Sequence, residues 1–102
     1  MKVSLVIPNF NGASFLPSCL TSIAVSLSTA KISQFEIIVV DNASTDDSIL
    51  KIKELIHSLK IDNCKLKINS SNLGFAAAVN QGITIAKYPY VAVLNTDITL
   101  AP

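Results

Sequence analysis

Three short apolar runs constrain this chain more than any other feature. They are "VSLVIP" at 3–8, "EIIVVD" at 36–41 and "YVAVLN" at 90–95. Each is rich in Val, Ile or Leu and lacks alternation, which is how a strand reads when both faces are covered. A fourth run, "CKLKIN" at 64–69, alternates Leu66 and Ile68 against Lys65 and Lys67. That pattern predicts a strand with one wet face, at a sheet edge. Between the runs the period becomes helical. Leu16, Leu20, Ile23 and Leu27 share one face, with Cys19 and Ala24 beside them. Ile52, Leu55, Ile56 and Leu59 form a second stripe, opposite Lys51, Lys53, Glu54 and Lys60. Ser44 or Thr45 is placed to cap that helix, and Asp46 and Asp47 suit the positive end of its dipole. A third helix is predicted from Gly74 to Lys87, with Phe75, Val79, Ile83 and Ala86 inward.

Strands alternating with helices give a parallel sheet between helical layers, an α/β/α arrangement. Right-handed crossovers reduce the strand orders to few, and the simplest is 3-2-1-4. All carboxyl ends of a parallel sheet share one rim, and ligands of open α/β sheets bind there, near the switch in strand order. Three polar clusters therefore converge on that rim: Pro8-Asn9-Phe10-Asn11-Gly12, Asp41-Asn42-Ala43-Ser44 and Asn95-Thr96-Asp97. Gly12 and Gly74 lie in the same loops, and Gly74 leaves the amides at the third helix start free to face a ligand.

Charge narrows the ligand. The chain has no Arg, and its lysines are residues 2, 31, 51, 53, 60, 65, 67 and 87, all outside the three rim loops. A net charge of +1 without a basic block argues against nucleic acid as a partner. If the rim takes a phosphate-bearing ligand, a divalent cation on Asp97 would supply the missing positive charge. Mg²⁺ and Mn²⁺ prefer such oxygen ligands. The fingerprint G-x-G-x-x-G is absent after the first strand, as is a P-loop, which excludes a nicotinamide or flavin enzyme of the usual kind.

Single residues also have plainer readings. Any one acid after a strand can simply hold a turn. Asn42, Ser44 and Thr45 read as turn and capping residues, and His57 as solvated. Phe10 and Phe75 are either loop packing or base-stacking groups. Tyr88 and Tyr90 read as strand-entry packing, and Cys19 and Cys64 as small buried hydrophobes. Two unpaired cysteines, no signal-peptide core and no run near the ~20 apolar residues of a membrane span point to a cytoplasmic setting.

Taken together these stretches resemble the N-terminal half of the inverting family 2 glycosyltransferases, which have the GT-A fold. The matching segments are "VSLVIPNFNGASFLPSCLTSI", "EIIVVDNASTDDS", "NLGFAAAVNQGI" and "YVAVLNTD". They cover nearly all of 1–102 in the family's order. "VDNASTD" and "NLGFAAAVNQG" look closest to the rhamnosyltransferase-like branch. The resemblance implies a donor site for a UDP- or dTDP-sugar. Pro8, Asn9, Asn11 and Asp41 would hold base and ribose, and Asn72, Gly74, Phe75 and Asn80 would border the nucleotide and its phosphates. The family's D-x-D element reads Asn95-Thr96-Asp97 here, with Asn95 beside the donor and Asp97 on Mn²⁺ or Mg²⁺.

The family's general base lies well beyond that element, beside the site for a glycan or lipid acceptor. Inverting transfer needs such a base to take the acceptor proton. The expectation is therefore an incomplete GT-A fold that binds a donor without turnover. Its parent would serve cell-wall or polysaccharide biosynthesis, at the inner face of a membrane. The alternative is a non-catalytic α/β binding or assembly module that keeps only the fold. "YVAVLN" would close the sheet as a flat apolar edge, an aggregation hazard unless covered. Further strands, or pairing with a second copy, are expected there.

Overall fold

The computed structural model describes residues 2–32 and 34–97. Its elements are β1 (Lys2–Asn9), α1 (Leu16–Thr29), β2 (Gln34–Asp41), α2 (Ser48–Ser58), β3 (Cys64–Ile68), α3 (Phe75–Ile85) and β4 (Tyr90–Val93). The strands form one parallel sheet in the order β3-β2-β1-β4. Among the described residues no helix is long and apolar enough to cross a membrane.

The unalternating runs of β1 and β2 have the predicted cause. Val3, Leu5 and Ile7 face one side, where they pack with Ile37 and Val39, with Leu16, Leu20 and Ile23 of α1, and with Ile52 of α2. Val6, Ile38 and Val40 face the other side, against Ala78 of α3. The result is three layers, with α1 and α2 on one face and α3 on the other.

The third helix turns only part of its predicted stripe inward: Ala86 packs against the sheet and Val79 is half-buried. Phe75 and Ile83 are 58% and 47% exposed, whereas Ala78 and Gly82 are buried. Close approach is the reason. A Cβ on Gly82 would stand 2.3 Å from Val6 Cγ1, so at this closest point no side chain fits between helix and sheet. Phe75 and Ile83 turn outward, while Ile85 packs beside Val6, Ile38 and Val40 near the end of the helix.

The edge strands also depart from expectation. β4 bonds to β1 along one side only, and Tyr90, Val91 and Val93 are exposed rather than covered on both faces. On β3 Leu66 is half-buried, but Ile68 is exposed.

At the amino end of the sheet lies a buried polar cluster absent from the sequence reading. Ser4 Oγ donates to Glu36 Oε2 (2.6 Å), and the Lys87 amide donates to the same oxygen (2.7 Å). Lys65 Nζ stands 2.9 Å from Glu36 Oε1. The Tyr88 amide donates to Ser4 Oγ at 3.3 Å. Burial alone would raise the Glu36 pKa. The Lys87 amide, the Ser4 hydroxyl and the Lys65 ammonium outweigh it and hold the carboxyl below its ordinary value. This cluster ties the turn between α3 and β4 to the sheet.

Candidate functional site

Register builds the rim. Asn9 and Asp41 are partners at the carboxyl ends of β1 and β2, and Asn9 Nδ2 donates to Asp41 Oδ1 at 2.8 Å. Asp41 is fully buried. Its carboxylate also accepts from the Ser44 amide (2.9 Å) and the Ser44 hydroxyl (2.7 Å). Ser44 Oγ in turn accepts from the Asn11 amide at 2.9 Å. Ser44 is thus spent on the rim rather than on the helix cap it was expected to make. Asp46 Oδ1 takes the Ser48 amide and hydroxyl instead, and its Oδ2 takes the Ala13 amide. Burial would raise the Asp46 pKa, but these Ser48 and Ala13 bonds lower it on balance. Asn11, at φ 52, accepts the Thr45 and Asp46 backbone amides on its side-chain Oδ1. Two predicted ligand contacts, Asn11 and Asp41, are therefore committed to joining the loop after β1 to the loop after β2. Asp41 underlies the site instead of lining it.

Above this joint is a cleft of about 200 Å³ lined by Pro8, Asn9, Phe10, Asn42, Asn72, Gly74 and Phe75. Five of these seven residues, all but Phe10 and Asn42, carry the donor-site expectation. Phe10 and Phe75 are 49% and 58% exposed, so two half-free aromatic rings wall a polar floor. Asn42, read as a turn residue, is the site residue that the sequence missed. Its Nδ2 donates to the Gly74 carbonyl (3.0 Å), and its Oδ1 accepts from the Leu73 amide (3.4 Å). Gly74 stands at φ 91, a conformation that side chains resist. Asn80 is not brought to the cleft. It lines a separate groove with Lys67, Gln81 and Thr84.

The end of β4 joins the rim from the far side of β1. A Cβ on Gly12 would stand 2.4 Å from Asn9 Oδ1 and 2.8 Å from Thr96 Oγ1, so the loop after β1 is pressed between the two. Asn9 Oδ1 is buried and has no hydrogen-bond partner among the described residues. Beneath the turn, Cys19 Sγ on α1 lies 3.9 Å from the Asn95 carbonyl oxygen. Burial raises the Cys19 pKa, and the nearby Asp97 carboxylate raises it further. Asn95 and Asp97 are exposed. A family model described as glycosyl transferase family 2 matches residues 4–102.

The chain belongs to glycosyl transferase family 2.

Among relatives, it is 36% identical over 96 residues to an uncharacterized glycosyltransferase of Rickettsia felis, covering 94% of this chain and 15% of that protein. It is 33% identical over 98 residues to the poly(ribitol-phosphate) beta-glucosyltransferase of Bacillus spizizenii, covering 95% of this chain and 15% of that protein. Among solved structures, S. aureus TarS 1-349 in complex with UDP superposes with a TM-score of 0.77 at 25% identity, over 95% of this chain and 28% of that one. The mannosyltransferase PcManGT of Pyrobaculum calidifontis, in complex with GDP-Man and Mn²⁺, superposes at 0.80 with 22% identity, over 94% of this chain and 27% of that one. The chain therefore carries part of a GT-A fold, and spans well under a third of these proteins.

A divalent metal at this rim would have to be held jointly with a ligand. At the end of β4 the exposed residues with hard oxygen donors are Asp97, through its carboxylate, and Asn95, through its amide. Among the described residues no three His, Cys, Asp or Glu side chains group closely enough to hold a metal by themselves. Mg²⁺ is ordinarily held in just that way, by one or two carboxylates with substrate phosphates completing the shell.

Proposed function

We propose that this chain is the donor-binding half of an inverting glycosyltransferase that uses a UDP- or dTDP-sugar. One observation carries the proposal: a cleft at the carboxyl ends of β1 and β2, beside the start of α3, walled by two half-exposed aromatic rings and carrying three asparagine amides. Its volume of about 200 Å³ is below the roughly 300–1,000 Å³ of a complete ligand pocket. It therefore takes one end of the donor, the base, stacked against Phe10 or Phe75. Ribose and diphosphate run over Gly12 toward Thr96 and Asp97. A Mn²⁺ or Mg²⁺ ion there would neutralise the diphosphate, which no lysine on the rim can do. The complete enzyme, in our reading a member of the rhamnosyltransferase-like branch that "VDNASTD" resembles, would then bring an acceptor hydroxyl to the anomeric carbon. The new C–O bond forms as the bond to the diphosphate breaks, and a base outside this chain takes the proton.

Calorimetric titration with UDP and dTDP, with and without Mn²⁺, tests this. Binding of either nucleotide, strengthened by Mn²⁺, is the expected result. In Asp97→Ala the metal-dependent part should vanish while the metal-free affinity persists. Absence of heat with both nucleotides would instead favour a module that keeps the fold without the chemistry.

A further inference from the structure

Behind the cleft runs a chain of three side-chain amides that the donor site does not explain. Asn42 and Asn69 are buried, at 4% and 7% exposure. Asn69 Nδ2 donates to Asn42 Oδ1 at 3.0 Å. Asn69 and Gln81 then face each other as a two-way amide pair: Asn69 Nδ2 donates to Gln81 Oε1 (2.8 Å), and Gln81 Nε2 donates to Asn69 Oδ1 (3.0 Å). Asn42 lines the cleft, whereas Gln81 sits on α3 and lines the separate groove.

The backbone fixes the direction of this chain. An amide N–H can only donate and a carbonyl can only accept. Since Asn42 Oδ1 receives the Leu73 amide and Asn42 Nδ2 meets the Gly74 carbonyl, the Asn42 amide cannot be turned over. Its oxygen has two acceptor sites, and the Leu73 amide and Asn69 Nδ2 fill them. One Nδ2 hydrogen remains. We propose that Asn69 and Gln81 are positioning residues: they hold Asn42 so that it presents a donor, and no acceptor, to the acceptor edge of the ligand's base. This rests on the donor reading given above. It adds that two residues outside the cleft decide how the base is read.

Without Gln81, one hydrogen of Asn69 Nδ2 and the Asn69 oxygen lose their partners. Asn69 can then rotate away, and Asn42 regains a free acceptor lone pair. The test compares the wild-type chain with Gln81→Met, and with Thr84→Val as a groove variant outside the amide chain. Each is titrated with UDP and with pyrophosphate, both in Mn²⁺. Gln81→Met should weaken UDP about tenfold, the worth of one well-placed hydrogen bond, and leave pyrophosphate unchanged. Thr84→Val should change neither. Equal weakening of both ligands, or of neither, would overturn the proposal. If Gln81→Met does not fold, Gln81→Glu serves, because it keeps the acceptor and removes the donor. A second readout needs no nucleotide. The Asn42 side-chain amide should give one sharp NMR pair in the wild type, with the hydrogen on the Gly74 carbonyl protected from exchange, and lose that protection in the Gln81 variant. Retained protection would overturn the positioning role. Failure of the wild type to bind UDP would remove the donor reading, yet leave this signature to decide the role of Gln81.

Discussion

Single residues at this rim are mostly committed to one another before any ligand arrives. Asp41 is the strongest case, a fully buried carboxylate accepting from Asn9 and twice from Ser44. Replacing it with Ala strands those donors, so Asp41→Ala should cost about 2–4 kcal/mol in urea denaturation. Gly12 has a steric task. Gly12→Ala would push on Asn9 Oδ1 and Thr96 Oγ1 at once, and should cost roughly 1–3 kcal/mol while displacing the turn that carries Asp97. Glu36 sets a pH dependence at the other end of the sheet. Its folded pKa is held below the unfolded value of about 4.3. The stability it contributes is therefore present above that value and lost as pH falls through the folded pKa. Melting followed from about pH 7 to about pH 3 should show this loss, and Glu36→Gln should start lower and lose less.

At the scale of elements, the sheet was legible because periodicity reports burial. β1 and β2 lie between helices on both faces, and their unbroken Val and Ile runs say so. Strand order followed from handedness, and the shared rim followed from strand order. Two features escaped for physical reasons. On α3 the stripe of large apolar residues suggested the buried face, but approach distance decided it in favour of Ala78 and Gly82. In the loops, Asn and Asp types predict polarity without predicting who their partners are. Asn11, Asp41 and Asn42 were thus placed on the right rim, but their division into scaffold and cleft could not be read. The packing of α3 is itself testable. Gly82→Ala improves helix propensity by about 1 kcal/mol, yet its Cβ would strike the stiff, buried Val6 at 2.3 Å. We expect net destabilisation of roughly 1–2 kcal/mol, partly recovered when Val6→Ala is added, in a double-mutant cycle.

At the scale of the whole molecule, the same chain carries a well-buried centre and an unfinished flank. β1 and β2 are covered on both faces, while β4 leaves Tyr90, Val91 and Val93 exposed beside an edge that no described residue pairs. Such an edge invites pairing. Sedimentation should show concentration-dependent self-association that Val91→Lys together with Val93→Lys reduces. The cleft lies on the other side of β1, between the ends of β1 and β2 and the start of α3, so the metal-free part of nucleotide binding should survive those changes. The central claim is that a nucleotide enters at this rim. An amide NMR titration of the isotope-labelled chain with UDP and Mg²⁺ tests it most directly. The account predicts shifts at Asn9, Phe10, Asn42, Asn72, Gly74 and Phe75. Shifts confined to the groove around Lys67, Asn80 and Thr84, or no shifts at all, would contradict it.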